Sequence, residues 1–230
     1  MAKINHITDS IRKSAAVITS IDAQAERVAR ISSAVVKCLE KGGKVLTMGH
    51  GGSAADALHM AEELVGRFKS DRPPLPALCL AADPTLLTCI SNDYGFTEVF
   101  PRQVTAHGQK GDVLVIFSTS GNGEGLSKAA AEAKSKGVTT IALLGKGGGA
   151  LKGMCDHELI VESSETARIQ EAHTLILHLI LEEVERQFAD AFSISGEIAV
   201  EDNVEGKGGR KATRSHPPPT PPRQGSGKKR

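Results

Sequence analysis

The sequence predicts an α/β fold in which helices cover both faces of a parallel β-sheet. Short apolar runs alternate along the chain with longer segments of helical periodicity, and this alternation implies right-handed crossovers between parallel strands. The run over 112–117 is of the kind expected for a strand buried on both faces. Phe, Tyr and Trp together account for only seven of the 230 residues, so the core must be aliphatic.

Five short apolar runs predict the strands, since such runs bounded by turn-forming residues fit fully buried strands. The predicted strands span residues 44–48, 77–80, 112–117, 138–144 and 157–161. Ligands in open α/β sheets bind outside the carboxyl ends of the strands. The turns that follow these strands are therefore where a site is expected.

Helices are predicted where apolar residues recur with the helical period or where a capping residue opens an Ala-rich segment. Asp83 followed by Pro84 marks one start, because proline suits the first helical position after an Asp cap. We expect Asn92-Asp93-Tyr94-Gly95 to break that helix. The predicted helices are two within 3–40, one capped by Ser53, one opened by 83–84, and one each over 97–107, 124–136 and 168–188.

Composition divides the chain into three parts. Residues 1–40 should form helices that pack on the main domain and at an oligomer interface, and residues 41–192 should form the main domain. Residues 193–230 contain five prolines between 217 and 222 among Gly and basic residues, with almost nothing apolar. Because this composition cannot offset the entropy of ordering, we expect a disordered tail. The alternatives are a basic arm for an acidic partner and a proline-rich ligand for an aromatic-lined groove.

The charge distribution argues against nucleic acid as the principal ligand. The whole chain carries a net charge of +1, but residues 206–230 hold eight Lys and Arg residues and no acid. Residues 1–205 therefore carry 20 basic against 27 acidic side chains, a net charge of −7. No apolar run approaches the ~20 residues that a membrane span needs. Four cysteines without C-x-x-C spacing, and no signal peptide, predict reduced thiols in a cytoplasmic protein.

The most informative segment is Gly-His-Gly-Gly-Ser at 49–53, which follows the first predicted strand and runs into an Ala-rich helix. A strand, a glycine turn and a helix N-terminus present free N–H groups and the positive end of a dipole, which suits a phosphate. The segment is not a dinucleotide fingerprint, since Ala54 stands where a glycine is required, and no Gly-Lys-Ser/Thr follows to make a P-loop. The alternative is a tight turn without a ligand.

Two further features strengthen this interpretation. His59 and Glu63 lie at i and i+4 on the following helix, so both are on one face, about 6 Å apart at Cβ. They offer a base and a possible metal ligand, although a solvated helix pair is the alternative. Ser118-Thr119-Ser120-Gly121 follows the strand at 112–117 and offers hydroxyls for phosphate or sugar oxygens. Two such turns after two parallel strands are more specific than either alone.

Three segments together resemble a known family: 49–63, 118–121 and Arg-Ile-Gln-Glu-Ala-His at 168–173. They are similar to the sugar isomerase (SIS) domain and, within that family, to the bacterial phosphoheptose isomerases, over roughly residues 5–190. The resemblance implies a doubly wound sheet of flavodoxin-like strand order and a homotetramer with active sites at subunit interfaces. The implied activity converts sedoheptulose 7-phosphate into D-glycero-D-manno-heptose 7-phosphate, which supplies ADP- or GDP-heptose synthesis for lipopolysaccharide.

The resemblance also implies roles for individual residues. A divalent metal, usually zinc, would be held by His59, Glu63, Gln170 and His178, and His and carboxylate ligands suit zinc. Glu63 would be the base that removes the C1 proton of the ketose and returns it at C2 through a cis-enediol, while His178 would move a proton between O1 and O2. Arg67 is a further candidate contact, with a surface cation as the alternative. The implied substrate-binding residues are His50, Gly51, Gly52, Ser53, Glu63, Asn92, Asp93, Ser118, Thr119, Ser120, Gly123 and Gln170.

Three positions depart from the usual pattern of the family. His50 stands where Asn is usual, Gly123 where many members have Ser, and Ala167 where some carry an acid. These changes affect affinity and substrate identity more than reaction class. The chief alternative is a non-catalytic SIS protein that binds a sugar phosphate or the bacterial replication initiator as a regulator. Because the initiator-binding type generally lacks the catalytic acid and the late histidine, Glu63 and His178 favour the enzyme.

Overall fold

A five-stranded, all-parallel sheet forms the centre of the structure, a computed structural model that describes residues 2–198 and, for side chains, residues 4–188. The strand order is β2-β1-β3-β4-β5, which confirms the predicted doubly wound sheet of flavodoxin-like order. The strands are β1 (Val45–Gly49), β2 (Ala77–Cys79), β3 (Val113–Ser118), β4 (Thr139–Gly145) and β5 (His157–Val161). Every residue of β1 and β3 is buried, as expected for strands covered on both faces.

The described part of the chain contains seven α-helices, of which six cover the sheet in two layers and α1 packs against α7. On one face α2, α3 and α7 pack against Val113, Val115 and Phe117 of β3. On the other face α4, α5 and α6 pack against Leu114 and Ile116. The helices are α1 (Ala2–Ser20), α2 (Ala25–Glu40), α3 (Gly52–Val65), α4 (Pro84–Tyr94), α5 (Val99–His107), α6 (Glu124–Ser135) and α7 (Thr166–Ile198).

Two predicted helix boundaries are wrong for reasons of local geometry. The N-cap of α3 is Gly51 rather than Ser53, because the chain enters the helix through a positive φ of 58° that glycine tolerates. Ser53 lies inside the first turn of α3 and is buried. Of the predicted breaking segment, Asn92, Asp93 and Tyr94 form part of α4, and only Gly95 ends the helix, as its C-cap with a φ of 91°.

The last helix is longer than predicted. α7 runs ten residues beyond Phe188 and includes the first six residues of the segment 193–230, for which we expected disorder. Residues 199–230, with the proline-rich stretch, lie outside the described part of the chain. Within residues 2–198, no helix has both the length and the apolar character needed to cross a membrane. The four cysteines are free thiols.

His173 of α7 is buried in the layer that covers β3 and β4. Its Nε2 contacts the carbonyl oxygen of Leu144 at 3.2 Å, and no described residue bonds its Nδ1. The ring of Phe117 lies edge-on, with ring centroids 6.2 Å apart. Burial lowers the pKa of His173 to about 4, although the contact with Leu144 acts in the opposite direction. The imidazole is therefore neutral in the folded protein at neutral pH.

This buried imidazole should make the protein less stable in acid. Between pH 6.5 and about 4 the unfolded chain binds a proton at His173 that the folded chain does not, so the free energy of unfolding should fall. A pKa difference of ~2.5 corresponds to a loss of ~3 kcal/mol. Urea unfolding at several pH values should show a shallower acid dependence for His173→Gln, which keeps a donor for Leu144. Parallel pH profiles for the two proteins would contradict a neutral buried imidazole.

Candidate active site

The two predicted phosphate turns lie side by side at the carboxyl edge of the sheet. β1 and β3 are neighbouring parallel strands, with Gly49 opposite Phe117 in the register. The turn His50–Gly52 (the first turn) and the turn Thr119–Gly123 (the second turn) therefore leave the sheet together. They are in contact, because a Cβ added to Gly123 would lie 3.3 Å from Cε1 of His50.

The first turn combines free backbone donors with a close approach from α7. Ser53 N–H donates to the carbonyl of His50 at 3.1 Å, whereas no described group accepts from the N–H of Gly51 or Gly52. The side chain of Gln170 packs directly on Gly52, since an added Cβ there would lie 2.2 Å from Nε2 of Gln170. A residue other than glycine at position 52 would displace Gln170 from the turn.

The second turn uses part of its hydroxyl set to hold its own shape. The buried Ser118 accepts a hydrogen bond at Oγ from the N–H of Gly121 at 2.9 Å. Ser120 Oγ accepts from the N–H of Asn122 at 3.3 Å. Thr119 and Ser120 are half-buried, so their hydroxyls reach the edge of the sheet. The Ser118 oxygen, predicted as a ligand group, is thus already engaged within the turn.

A segment that the sequence analysis did not single out packs against the second turn. Lys146–Leu151, which we call the supporting turn, follows β4 and contains three consecutive glycines at positive φ. The N–H of Leu151 donates to the carbonyl of Gly121 at 3.0 Å, and Asn122 Oδ1 accepts from the N–H of Ala150 at 3.0 Å. A Cβ on Gly121 would lie 1.9 Å from the carbonyl oxygen of Gly148. The second turn and the supporting turn are therefore in contact through their backbones.

Helix α3 brings together His59, a predicted metal ligand, and Glu63, the predicted base. His59 Nε2 lies 3.2 Å from Glu63 Oε1, and their side chains are 36% and 18% exposed. Ligand-type atoms of His59, Glu62 and Glu63 all lie within 4.8 Å of one another. Glu62 is the most exposed of the three. These contacts confirm the predicted i, i+4 proximity and add Glu62 as a neighbouring carboxylate.

His178 of α7 lies beside this cluster. Its ring lies edge-on to His59, with centroids 5.1 Å apart and an interplanar angle of 84°. On its other side the ring of Phe68 stacks at 5.6 Å with an angle of 28°. Imidazole and carboxylate groups are donors that zinc takes in proteins, so His59, Glu63 and His178 are chemically suited to hold that metal. No motif or spacing in the sequence pointed to Phe68.

Asp56 is a buried acid behind this cluster that the sequence analysis did not single out. Its Oδ1 accepts a hydrogen bond from Thr174 Oγ1 at 3.0 Å, and no partner for Oδ2 exists among the described residues. Burial raises the pKa of Asp56, while the Thr174 hydrogen bond and the nearby His59 lower it. Thr174 is also 3.1 Å from the carbonyl of Gln170. The i, i+3 spacing of Asp56 and His59 was the signal available from the sequence.

Other predicted residues are not held against the cluster by described contacts. Asn92 and Asp93 are exposed at the end of α4, where Asn92 Nδ2 donates to Asp93 Oδ1 at 2.8 Å. Arg67 is exposed in the segment after α3, and Ala167 is exposed in the first turn of α7. The end of α4 does approach the first turn, because Phe96 follows it and packs against the ring of His50.

His50 packs into an aromatic corner beside the first turn. Its ring centroid lies 5.2 Å from that of Phe96 and 5.1 Å from that of Phe100. Burial lowers the pKa of His50, so the ring is neutral at neutral pH. The ring also occupies the space into which a side chain at Gly123 would extend. The two departures at positions 50 and 123 are thus parts of one packing arrangement.

The chain is similar to proteins of one group. A family profile described as the SIS domain matches residues 10–145. A phosphoheptose isomerase of Geobacter sp. (strain M21) is 47% identical over 187 residues, which cover 80% of this chain and 96% of that protein. The phosphoheptose isomerase of Citrifermentans bemidjiense is 52% identical over 155 residues, covering 67% and 81%. A solved phosphoheptose isomerase from Francisella tularensis aligns with a TM-score of 0.77 at 38% identity, covering 81% of this chain and all of that one.

The packing of His50 against Gly123 predicts that these positions are energetically coupled. Gly123→Ser brings a Cβ to 3.1 Å from Leu126 and 3.3 Å from His50, and this crowding opposes the stabilisation that serine gives as the N-cap of α6. In the His50→Asn background the same substitution should be about 1 kcal/mol more favourable, since the shorter side chain leaves room. Urea unfolding of the wild type, both single variants and the double variant measures this coupling. Strictly additive free energies would contradict it.

Proposed function

Because the chain belongs to the SIS-domain family and, within it, to the phosphoheptose isomerases, we propose that it converts sedoheptulose 7-phosphate into D-glycero-D-manno-heptose 7-phosphate. The reaction is an aldose–ketose isomerisation without net redox change, and its product is a precursor of ADP- or GDP-heptose. The observation that carries the assignment of reactive groups is the meeting of His59, Glu63 and His178 beside two phosphate-suited turns.

Glu63 is the proposed base. Its carboxylate removes the proton from C1 of the ketose and returns it at C2, so the reaction passes through a cis-enediol. The contact of Glu63 Oε1 with His59 Nε2 at 3.2 Å supports this role, because it orients the carboxylate on α3. A positioned general base typically contributes 10²–10⁴-fold to the rate, so roughly that much should depend on Glu63.

His178 is the proposed carrier of the second proton, which leaves the O1 hydroxyl while O2 gains one. An imidazole suits this exchange, since it donates from one ring nitrogen and accepts at the other. The rings of His59 and Phe68 on either side of His178 support the proposal, because they restrict the orientation of the imidazole.

We assign the phosphate and its neighbouring hydroxyls to the two turns. The free N–H groups of Gly51 and Gly52 at the start of α3 suit an anion, and Thr119 and Ser120 supply hydroxyls. Ser53 and Ser118 are buried beneath these groups and contribute by holding the turns. Gln170, which packs on Gly52, is proposed to contact the sugar, as are Asn92 and Asp93 at the end of α4.

We further propose one zinc ion per subunit, with His59, Glu63, Gln170 and His178 as ligands. When bound, zinc would polarise the carbonyl and stabilise the enediolate. The imidazole and carboxylate donors support this proposal, whereas the amide of Gln170 is a weaker ligand.

A homotetramer in the cytoplasm is proposed for the intact protein. On α1, the residues Ile4, Ile7 and Ile11 are 69%, 60% and 63% exposed. Their i, i+3, i+7 spacing forms an apolar stripe that a second subunit would cover. Four free thiols support a reducing compartment.

Replacement of either acid–base residue should abolish most turnover. Glu63→Gln and His178→Gln should each lower kcat for sedoheptulose 7-phosphate by about 10²–10⁴-fold, because each removes a proton-transfer group. Glu62→Gln is the matched control on the same turn of α3 and should retain activity. An isomerase assay on the purified proteins measures all three. Activity lost in Glu62→Gln and kept in Glu63→Gln would move the base to the neighbouring residue.

The proposed zinc site predicts a measurable metal content. Protein dialysed against zinc should hold one ion per subunit by mass spectrometry of the metal, and His59→Ala should hold much less. Thermal unfolding gives a readout separate from activity, because a metal that binds only the folded state raises the melting temperature. Equal zinc content in the wild type and His59→Ala would contradict the proposed ligand set.

A further inference from the structure

The segment between α3 and β2 contains a buried arginine that ties two helices of the site together. This segment, residues 66–76, is here called the α3–β2 loop. The side chain of Arg72 is 1% exposed. Its Nη2 donates to the carbonyl oxygen of Glu63 at 2.7 Å, and its Nη1 donates to that of Leu64 at 2.9 Å. Arg72 therefore contacts the backbone of the proposed catalytic base.

These contacts close the C-terminal end of α3. The last four carbonyl groups of a helix have no partner within the helix, and they form the negative end of its dipole. A guanidinium satisfies two of them at once and supplies the favoured positive charge. Because one of the two carbonyls belongs to Glu63 itself, the position of Arg72 bears directly on where this residue is held.

The other side of Arg72 is anchored to α7. Its Nε donates to Glu185 Oε2 at 3.2 Å, and the Glu185 side chain is 8% exposed. The second oxygen of Glu185 accepts a hydrogen bond from the backbone N–H of Ser70. One carboxylate on α7 thus binds the α3–β2 loop at two points. Among the described residues, no other ion pair involves Arg72 or Glu185, so loss of either leaves the other charge buried without its partner.

The anchor lies on the same side of α7 as His178. Glu185 and His178 are seven residues apart, which places them only ~20° apart around the helix axis and ~10 Å apart along it. The same loop also carries Phe68, whose ring stacks on that of His178. The loop therefore contacts the proposed proton carrier through Phe68 and the proposed base through Arg72.

We propose that Arg72, paired with Glu185, is a positioning residue that fixes Glu63 on α3 relative to His178 on α7 and holds Phe68 against His178. This role rests on the proposed isomerase function of the two groups it aligns. Arg72 has no place among the reacting atoms, because its guanidinium is occupied by backbone carbonyls and Glu185. Its effect on catalysis is exerted through the geometry of the other two residues.

The variants that test this proposal separate positioning from stability. Arg72→Met should lower kcat about 10- to 100-fold, as expected for a small misplacement of reacting groups, with a much smaller change in KM. Arg72→Met/Glu185→Met leaves no unpaired buried charge, so it should regain part of the melting temperature, although the carbonyls of Glu63 and Leu64 still lack their donor. Its kcat should stay low. Arg72→Lys keeps the charge but not the fork of donors, and should recover only part of kcat.

The matched control is the neighbouring pair that joins the same loop to the same helix at the surface. Lys69 Nζ lies 2.7 Å from Glu182, with side chains 58% and 47% exposed. Glu182→Gln breaks this pair and keeps Lys69, whose Nζ lies 5.2 Å from the centroid of the Phe68 ring. It should leave kcat and the melting temperature close to those of the wild type, because exposed pairs contribute little. A kcat that rises with the melting temperature in Arg72→Met/Glu185→Met would overturn the proposal and leave Arg72 with a purely structural role.

A spectroscopic readout tests the positioning even if the wild type fails to turn over sedoheptulose 7-phosphate. The NMR signal of ¹³Cε1-labelled His178, assigned by its absence in His178→Gln, reports the ring of Phe68 above it. The signal should shift in Arg72→Met and in Arg72→Met/Glu185→Met, and stay unchanged in Glu182→Gln. An inactive wild type with this shift would refute the proposed function alone. An unchanged signal in folded Arg72→Met would overturn the positioning role.

Discussion

The parallel pairing of β1 with β3 is the constraint on which the site depends. Because Gly49 lies opposite Phe117, both strands end at the same level and release their turns side by side. The register is enforced by the core, since alternate residues of β3 face two different helix layers and a slip by one would exchange them. The geometry of the phosphate-suited edge is therefore set by aliphatic packing several residues away from it.

The layer between the sheet, α3 and α7 contains buried polar atoms that lower the stability of the fold. Asp56 Oδ2 and His173 Nδ1 are buried there without partners among the described residues. A buried polar atom left unpaired costs about 1–3 kcal/mol. Functional sites are where proteins tolerate such departures from a well-satisfied interior. The same layer holds the Arg72–Glu185 pair, so its polar groups link the reactive residues of α3 to those of α7.

The sequence predicted the five strands, the two turns and the contact of His59 with Glu63, because each depends on residues close together in the chain. Glycine at strand ends and an i, i+4 spacing are local signals. The rest of the site depends on distant pairs. Arg72 and Glu185 are 113 residues apart, and neither lies in a pattern that points to the other. The supporting turn could not be predicted either, because its shape comes from successive positive φ angles that composition does not specify.

The contact between the second turn and the supporting turn limits how this protein can diverge. Gly121 and Gly148 meet through backbone atoms alone, so no change of side chain elsewhere can make room for an insertion or deletion in either turn. A change in length on one side would require a matching change on the other. Divergence towards other sugar phosphates is thus confined to substitutions at positions such as Thr119, Ser120 and Gly123, on a backbone that stays constant.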